Sequence, residues 1–357
     1  MASVTEQQLF LLSLRLCDFA LKSAKFEQLD EHSAFHNEEH AMATTRRELL
    51  TTLAATAGLS ALNSPTIAAP TTARVKNRIG VSTYSFWHFH GDPVPIEQCL
   101  EQAADMGFDG VEILHVHMEE AAKAGGGSVD KPLLRRIKQR AFSLGLDLMG
   151  FSTHQGFVTP DADKRQKNIE HTERCLEMAY ELGIPTIRVN TGRWGTSKNF
   201  DELMANKGIE PRLPGFTDDQ GFEWVNASFE KLLPKAEACG VVMGLENHWG
   251  LGRESSGVLR VLNTLKSPWL KATLDTGNFL ENMYEQMAEL APHAVLVQAK
   301  TYFGGGEWYS LDIDYARVAE ILRRANYRGY ISLEMEGKEA PATAVPKSFE
   351  LLRRAFS

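Results

Sequence analysis

Val242-Met243-Gly244-Leu245-Glu246-Asn247-His248 is an apolar run too short for a helix, and it stops on a carboxylate, an amide and an imidazole. A parallel strand buried on both faces reads as such a continuous apolar run, and chemistry begins where the strand ends. Lys271-Ala272-Thr273-Leu274-Asp275-Thr276-Gly277-Asn278 and Tyr330-Ile331-Ser332-Leu333-Glu334-Met335-Glu336 finish in the same manner. Glu246, Asp275 and Glu334 are therefore expected together at one end of one parallel sheet.

Outward from these runs a unit recurs. An amphipathic helix with Ala or Leu on its inner face ends in a capping glycine, and a short β-branched or apolar stretch follows. Cys99 to Gly107 precedes Gly110-Val111-Glu112-Ile113, and Cys175 to Gly183 precedes Thr186-Ile187-Arg188-Val189. The pattern predicts strands near 78–83, 110–114, 146–152, 186–190, 241–246, 271–275, 294–299 and 330–334, with helices between most of them. Strict alternation of this kind points to the α/β class and a closed (β/α)8 TIM barrel over 75–357, for which about 280 residues is an ordinary length. A doubly wound open sheet is the alternative, but no GxGxxG follows the first strand.

Composition narrows the partners. Among 357 residues, 43% are hydrophobic, enough for a large core, and no apolar run approaches the roughly 18 residues of a membrane span, so stable membrane insertion is not expected. A net charge of -8 and dispersed basic residues argue against nucleic acid. Cys17, Cys99, Cys175 and Cys239 show no CxxC or other metal-ligand spacing and read as small core residues or free thiols. The sequence leaves the oligomeric state open, a homo-oligomer included.

Residues 1–74 are expected to be a leader outside the fold, disordered or cleaved. Within it, Thr45-Arg46-Arg47-Glu48-Leu49-Leu50 and the Ala-rich stretch from Leu53 to Ala61 make 44–69 similar to a twin-arginine export signal, implying a periplasmic destination. Met42 is a second candidate start.

In such a barrel the reactive groups stand at the C-terminal ends of the strands and in the loops after them. Those windows hold Glu112, His115, His117, His154, Asn190, Glu246, His248, Asp275, Asn278, Gln298, Lys300 and Glu334, with Tyr84, His88 and His90 after the first strand. Trp87, Trp194, Trp249 and Trp308, four of the six tryptophans, also fall there, as an aromatic rim or as core beneath the loops. Two long loops, 191–223 and 302–309, are candidate lids.

This constellation resembles the xylose isomerase-like barrel superfamily of sugar isomerases and epimerases. The resemblance spans about residues 78–355 and rests on Gly110-Val111-Glu112-Ile113, His154, Gly244 to His248, Leu274 to Asn278 and Leu333 to Gly337. It implies one divalent ion, Mn²⁺, Mg²⁺ or Co²⁺, held by Glu246, Asp275, residue 298 and Glu334. The family pattern His-x-Lys-Asp reads here Gln298-Ala299-Lys300-Thr301, an oxygen-rich set that favours hard ions.

The implied chemistry is proton removal next to a sugar carbonyl, with the ion stabilising the enediolate. Glu246 and Glu334 are the expected acid/base pair. Glu112, His154, His248, Lys300, Trp87, Trp194, Trp249 and Trp308 are expected to bind substrate. Lys300 either polarises the carbonyl, holds an anionic group or pairs with Glu334. The alternatives are metal-dependent cleavage of (3-keto) glycosides on the same barrel, and a non-catalytic carbohydrate-binding barrel.

Overall fold

The computed structural model describes residues 76–87, 93–124 and 129–357. The expected leader and export signal, together with His88 and His90, lie outside them. Eight parallel strands follow one another around a closed barrel: β1 (Ile79–Ser82), β2 (Gly110–Leu114), β3 (Asp147–Ser152), β4 (Thr186–Val189), β5 (Val242–Glu246), β6 (Leu270–Asp275), β7 (Ala294–Thr301) and β8 (Ile331–Met335). Closure sets Ile79 of β1 opposite Ile331 of β8. The expected strands are thus present, within a residue or two at their ends.

Among the described residues ten α-helices connect and flank the strands: α1 (Ile96–Met106), α2 (His115–Ala124), α3 (Lys131–Ser143), α4 (Ala162–Leu182), α5 (Phe200–Ala205), α6 (Asp218–Cys239), α7 (Ser255–Leu265), α8 (Met283–Leu290), α9 (Tyr315–Arg324) and α10 (Pro341–Phe356). The glycines after α1 and α4 are left-handed caps, with φ of 82° at Gly107 and 77° at Gly183, a conformation that a side chain would strain. No described helix is long and apolar enough to cross a membrane. Cys99, Cys175 and Cys239 are free.

The two-residue strand period decides what enters the barrel. On β5, Met243 and Leu245 join the core between sheet and helices, so Glu246 takes the other, inward side. On β7 the inward series is Leu296, Gln298, Lys300, and toward and along β8 it is Tyr330, Ser332, Glu334. Leu296 and Tyr330 close the base of the barrel with Met149. The series therefore runs from apolar base to charged mouth within a few residues.

The stretch expected as an irregular loop at 191–223 is more ordered than its composition implied. Asn199 caps α5 by accepting from the Glu202 N–H, and Thr217 and Gln220 form a reciprocal capping box that starts α6. The polar residues that read as loop are in part caps. Over the barrel mouth this segment meets the 302–309 loop: the Trp308 ring stands edge-on to Phe200 with centroids 4.6 Å apart, and its Nε1 donates to Asp201 Oδ1 at 2.7 Å.

Candidate active site

Each strand tip delivers its side chain for a local reason. Asn247, next to Glu246, donates from Nδ2 to the Asp275 carbonyl at 2.9 Å and accepts the Asp275 N–H at Oδ1 at 2.8 Å. It splices the ends of β5 and β6, fixing Glu246 and Asp275 relative to each other. Tyr315 of α9 does the same for β7, donating its hydroxyl to the Lys300 carbonyl at 2.6 Å.

Glu246 is fully enclosed by donors. Its Oε2 accepts from Arg188 Nη1 at 3.0 Å and Asn190 Nδ2 at 2.7 Å, and its Oε1 accepts from Asn278 Nδ2 at 3.3 Å. Burial would raise its pKa, but Arg188, His248, Lys300 and the Asn190 hydrogen bond outweigh it and bring the carboxyl down to about 2. The second arm of Arg188 lies 2.9 Å from His154 Nε2. The field of Arg188, and then burial, keeps that imidazole well below its ordinary range. His248 falls to about 4, chiefly through burial.

Lys300 is the second cation. Its Nζ stands 3.1 Å from Glu334 Oε2 and 3.3 Å from Asp275 Oδ2, and it also donates to Glu336. Burial opposes its charge, but Asp275 and Glu336 hold the ammonium protonated well above its usual range. The carboxylates are not equally compensated. Burial lifts Asp275 well above the usual carboxylate range and Glu334 to about 7, with Lys300 opposing both shifts. Tyr84 donates to Glu336 Oε1 at 2.8 Å.

One layer deeper, Glu112 accepts from Gln298 Nε2 at 2.9 Å and from Ser332 Oγ at 2.5 Å, and also from Ser152 Oγ. Glu112 has no solvent exposure and Gln298 none, so both sit beneath the site, away from the cavity above it.

That cavity, about 960 Å³, opens at the barrel mouth. Of the expected residues, His154, His248, Lys300, Glu334, Trp87 and Trp308 line it. Glu246 and Asp275 lie behind Arg188 and Lys300. Trp194 and Trp249 turn elsewhere. Trp194 packs on Trp224 and donates to Asp218 Oδ1 at 3.2 Å, and Trp249 is buried with Leu203 and Met204. Both are core beneath the loops, one of the two readings open for them, and neither lines the cavity.

Sequence reasoning passed over Arg188, the residue that neutralises Glu246. Its signal was present: Thr186, Arg188 and Asn190 alternate with apolar Ile187 and Val189, so the inward series of β4 is polar.

The residues fit a hard divalent ion in their donor chemistry. Glu112, Glu246, Asp275, Glu334 and Glu336 outnumber Arg188 and Lys300, the two buried cations among them. Gln298 Oε1 is a buried oxygen that accepts no hydrogen bond, and Asp275 Oδ2 has only the 3.3 Å ion pair with Lys300. An all-oxygen set with spare acceptors and spare negative charge suits Mg²⁺ or Mn²⁺ better than Zn²⁺.

Comparison with known proteins gives the lineage. A family model described as xylose isomerase-like TIM barrel matches residues 100–355. Compared by sequence with proteins of curated function, the chain has no match. Among solved structures it is similar to a 3-keto-D-glucoside 4-epimerase from E. coli, at 20% identity and a TM-score of 0.61, covering 78% of this chain and 100% of that one. A D-psicose 3-epimerase from Clostridium cellulolyticum H10, solved with D-tagatose, aligns at 16% identity and TM-score 0.59, over 78% and 99% of the two chains. An L-ribulose 3-epimerase aligns at 17% and 0.58, over 78% and 92%. At such identities these likenesses establish the fold, while the family match spans most of the sequence. The chain belongs to the xylose isomerase-like TIM barrel family.

Proposed function

We propose that this protein is a sugar isomerase or epimerase that moves a proton on the carbon next to a carbonyl. The observation that carries the reading is the set of buried carboxylates, Glu246, Asp275 and Glu334, countered by Arg188 and Lys300 under a cavity at the barrel mouth. The structural neighbours are sugar epimerases on the same fold.

Glu334 reaches the cavity and is the carboxylate that meets substrate, taking or returning the proton. Glu246, enclosed by Arg188, Asn190 and Asn278, holds a fixed negative charge beside it and supplies electrostatic support in place of the proton exchange expected of it. Lys300 Nζ and His154 donate to sugar oxygens, and His248 borders the same space. Asp275, Gln298, Glu246 and Glu334 would hold Mn²⁺, Mg²⁺ or Co²⁺, which when bound supplies Lewis acidity toward the carbonyl and its neighbouring hydroxyl. Loops 191–223 and 302–309 exclude water through the Trp308 contact with Phe200 and Asp201.

The test is exchange of sugar C–H into D₂O, followed by NMR over a panel of ketoses, aldoses and 3-keto glycosides, with each of the three ions added back after chelation. Wash-in of deuterium at a carbon next to the carbonyl is expected. A panel with no exchange under any ion ends the proposal.

A second reading has its own observation. The cavity is at the upper end of the roughly 300–1,000 Å³ of small-molecule sites, and beyond the charged floor its wall is aromatic and apolar, including Phe86, Trp87, Phe200 and Trp308. A single hexose leaves that wall uncovered, so the same proton abstraction would serve cleavage of a 3-keto glycoside whose aglycone lies against it. Release of aglycone in the same panel distinguishes the two.

Export through the twin-arginine-like segment at 44–69 belongs to the same proposal. N-terminal sequencing of the protein from the periplasm is expected to start beyond it, and a chain that keeps Arg46 and Arg47 there overturns it.

A further inference from the structure

Outside the barrel mouth, a second group of chemistry-bearing side chains meets where α2 leaves β2 and α4 passes beside it. His115 starts α2 and is almost fully buried, Cys175 on α4 has no exposure, and His171 lies one turn before Cys175, half-buried. One ligand atom from each comes within 4.8 Å of the others, and among the described residues no other trio of His, Cys, Asp or Glu does so.

We propose that His115 of α2, with His171 and Cys175 of α4, forms a three-ligand binding site for a borderline transition-metal ion of the zinc class, separate from the barrel-mouth site. Cys175 Sγ and His171 Nε2 stand 3.6 Å apart. Zinc bonds of about 2.3 Å to sulfur and 2.0 Å to nitrogen at a tetrahedral angle span about 3.6 Å. His115 Nε2 lies 3.5 Å from Glu119 Oε1, an i,i+4 neighbour at the rim of the group. His171 and Cys175 sit at i and i+4, the spacing that puts two side chains on one face. The His115 and His171 rings face each other edge to plane with centroids 4.7 Å apart, so His115 meets the α4 pair.

The donor set of two imidazoles and a thiolate is one zinc accepts and Mg²⁺ does not. The group borders a cavity of about 780 Å³ that gives an ion access from solvent. Arg174 lines the same cavity and its field opposes a cation, partly offset by Glu119. The sequence spacing of Cys175 to other cysteines hid the site, because its partners are histidines on two helices. An ion here would pin the C-terminal end of β2, and with it Glu112, to α4.

The test is titration of the reduced full-length chain with Co²⁺, read as thiolate-to-cobalt charge-transfer absorption, which only a cysteine ligand produces. A saturable band is expected. It should vanish in Cys175→Ser, weaken by roughly tenfold or more in affinity in His171→Gln, and persist in Cys17→Ser, Cys99→Ser and Cys239→Ser. It should also persist in Asp275→Asn, which separates this site from the barrel mouth. Arg174→Gln should tighten binding. Zn²⁺ should raise the melting temperature of the wild type and leave that of Cys175→Ser unchanged. Where Cys175→Ser does not fold by circular dichroism, His171→Gln, on the more exposed helix position, carries the decision. Absence of the band in the wild type, or its survival at full strength in the folded variants, overturns the proposal.

Discussion

The two ends of the barrel interior share the same strands and the same two-residue period, and they carry opposite chemistry. At the base, Met149, Leu296 and Tyr330 pack against one another. Four residues further along β7 and β8, Lys300 and Glu334 stand among more carboxylates than there are cations to match them. The base is filled by burial that stabilises the fold, while the mouth holds desolvated charge that stabilises it little or not at all. The difference locates function: charge excess of this kind persists only where a ligand, an ion or a reacting group completes it.

The largest expected effect breaks the mouth without breaking the fold. Glu334→Gln keeps shape and removes a proton carrier that lines the cavity, so kcat should fall by about 10²–10⁴ with the melting temperature unchanged or raised. Deuterium wash-in beside a thermal melt measures both. A loss below tenfold would end the role assigned to Glu334.

Next comes Arg188→Met, which strands Glu246 as a buried, uncompensated carboxylate. Unfolding in urea should show a loss of about 3–5 kcal/mol, with activity lost as well. Adding Glu246→Met should recover most of the stability and none of the activity, since an apolar pair can replace a buried ion pair. If the double variant is no more stable than the single one, Arg188 is holding something other than Glu246.

Leu296→Ala makes the contrast from the other end. It opens a hole in the fully buried base cluster and should cost about 2–5 kcal/mol, while kcat of the folded protein stays within about twofold. A proportionate drop in kcat would show that the two ends are mechanically coupled.

How much of this was legible in the sequence follows from the range of the forces involved. Strands, capping glycines and the tips at Glu246, Asp275 and Glu334 are set by local periodicity, and local periodicity is written in the chain. The Gly after α1 and α4 marks a helix end because only a left-handed residue fits there. Arg188 was less visible because a basic residue inside a four-residue strand is compatible with either face until β5 is placed beside it, with Arg188 opposite Gly244 and so near Glu246. The tryptophans divide for the same reason. Trp87 and Trp308 line the cavity, Trp194 and Trp249 lie in the core, and that choice depends on neighbours such as Trp224 and Met204, which are distant from them in pattern. The meeting of His115 with His171 and Cys175 is the extreme case, since it joins elements separated by a whole strand-helix unit.

Trp308→Ala carries the smallest effect and resolves the substrate question most finely. Trp308 is 51% exposed and held by Phe200 and Asp201 on the roof of the cavity, away from the carboxylates. If an aglycone covers the aromatic wall, its removal should raise KM for an aryl 3-keto glycoside about five- to tenfold, or ~1 kcal/mol, with kcat little changed. KM for a free ketose should stay the same, because a hexose seated on Lys300 and Glu334 does not reach the roof. Equal rises for both substrates would move the sugar itself up to Trp308. No rise for either would leave the wall without a role in binding and return the preference to a monosaccharide isomerase, in which the charged floor does all the recognition.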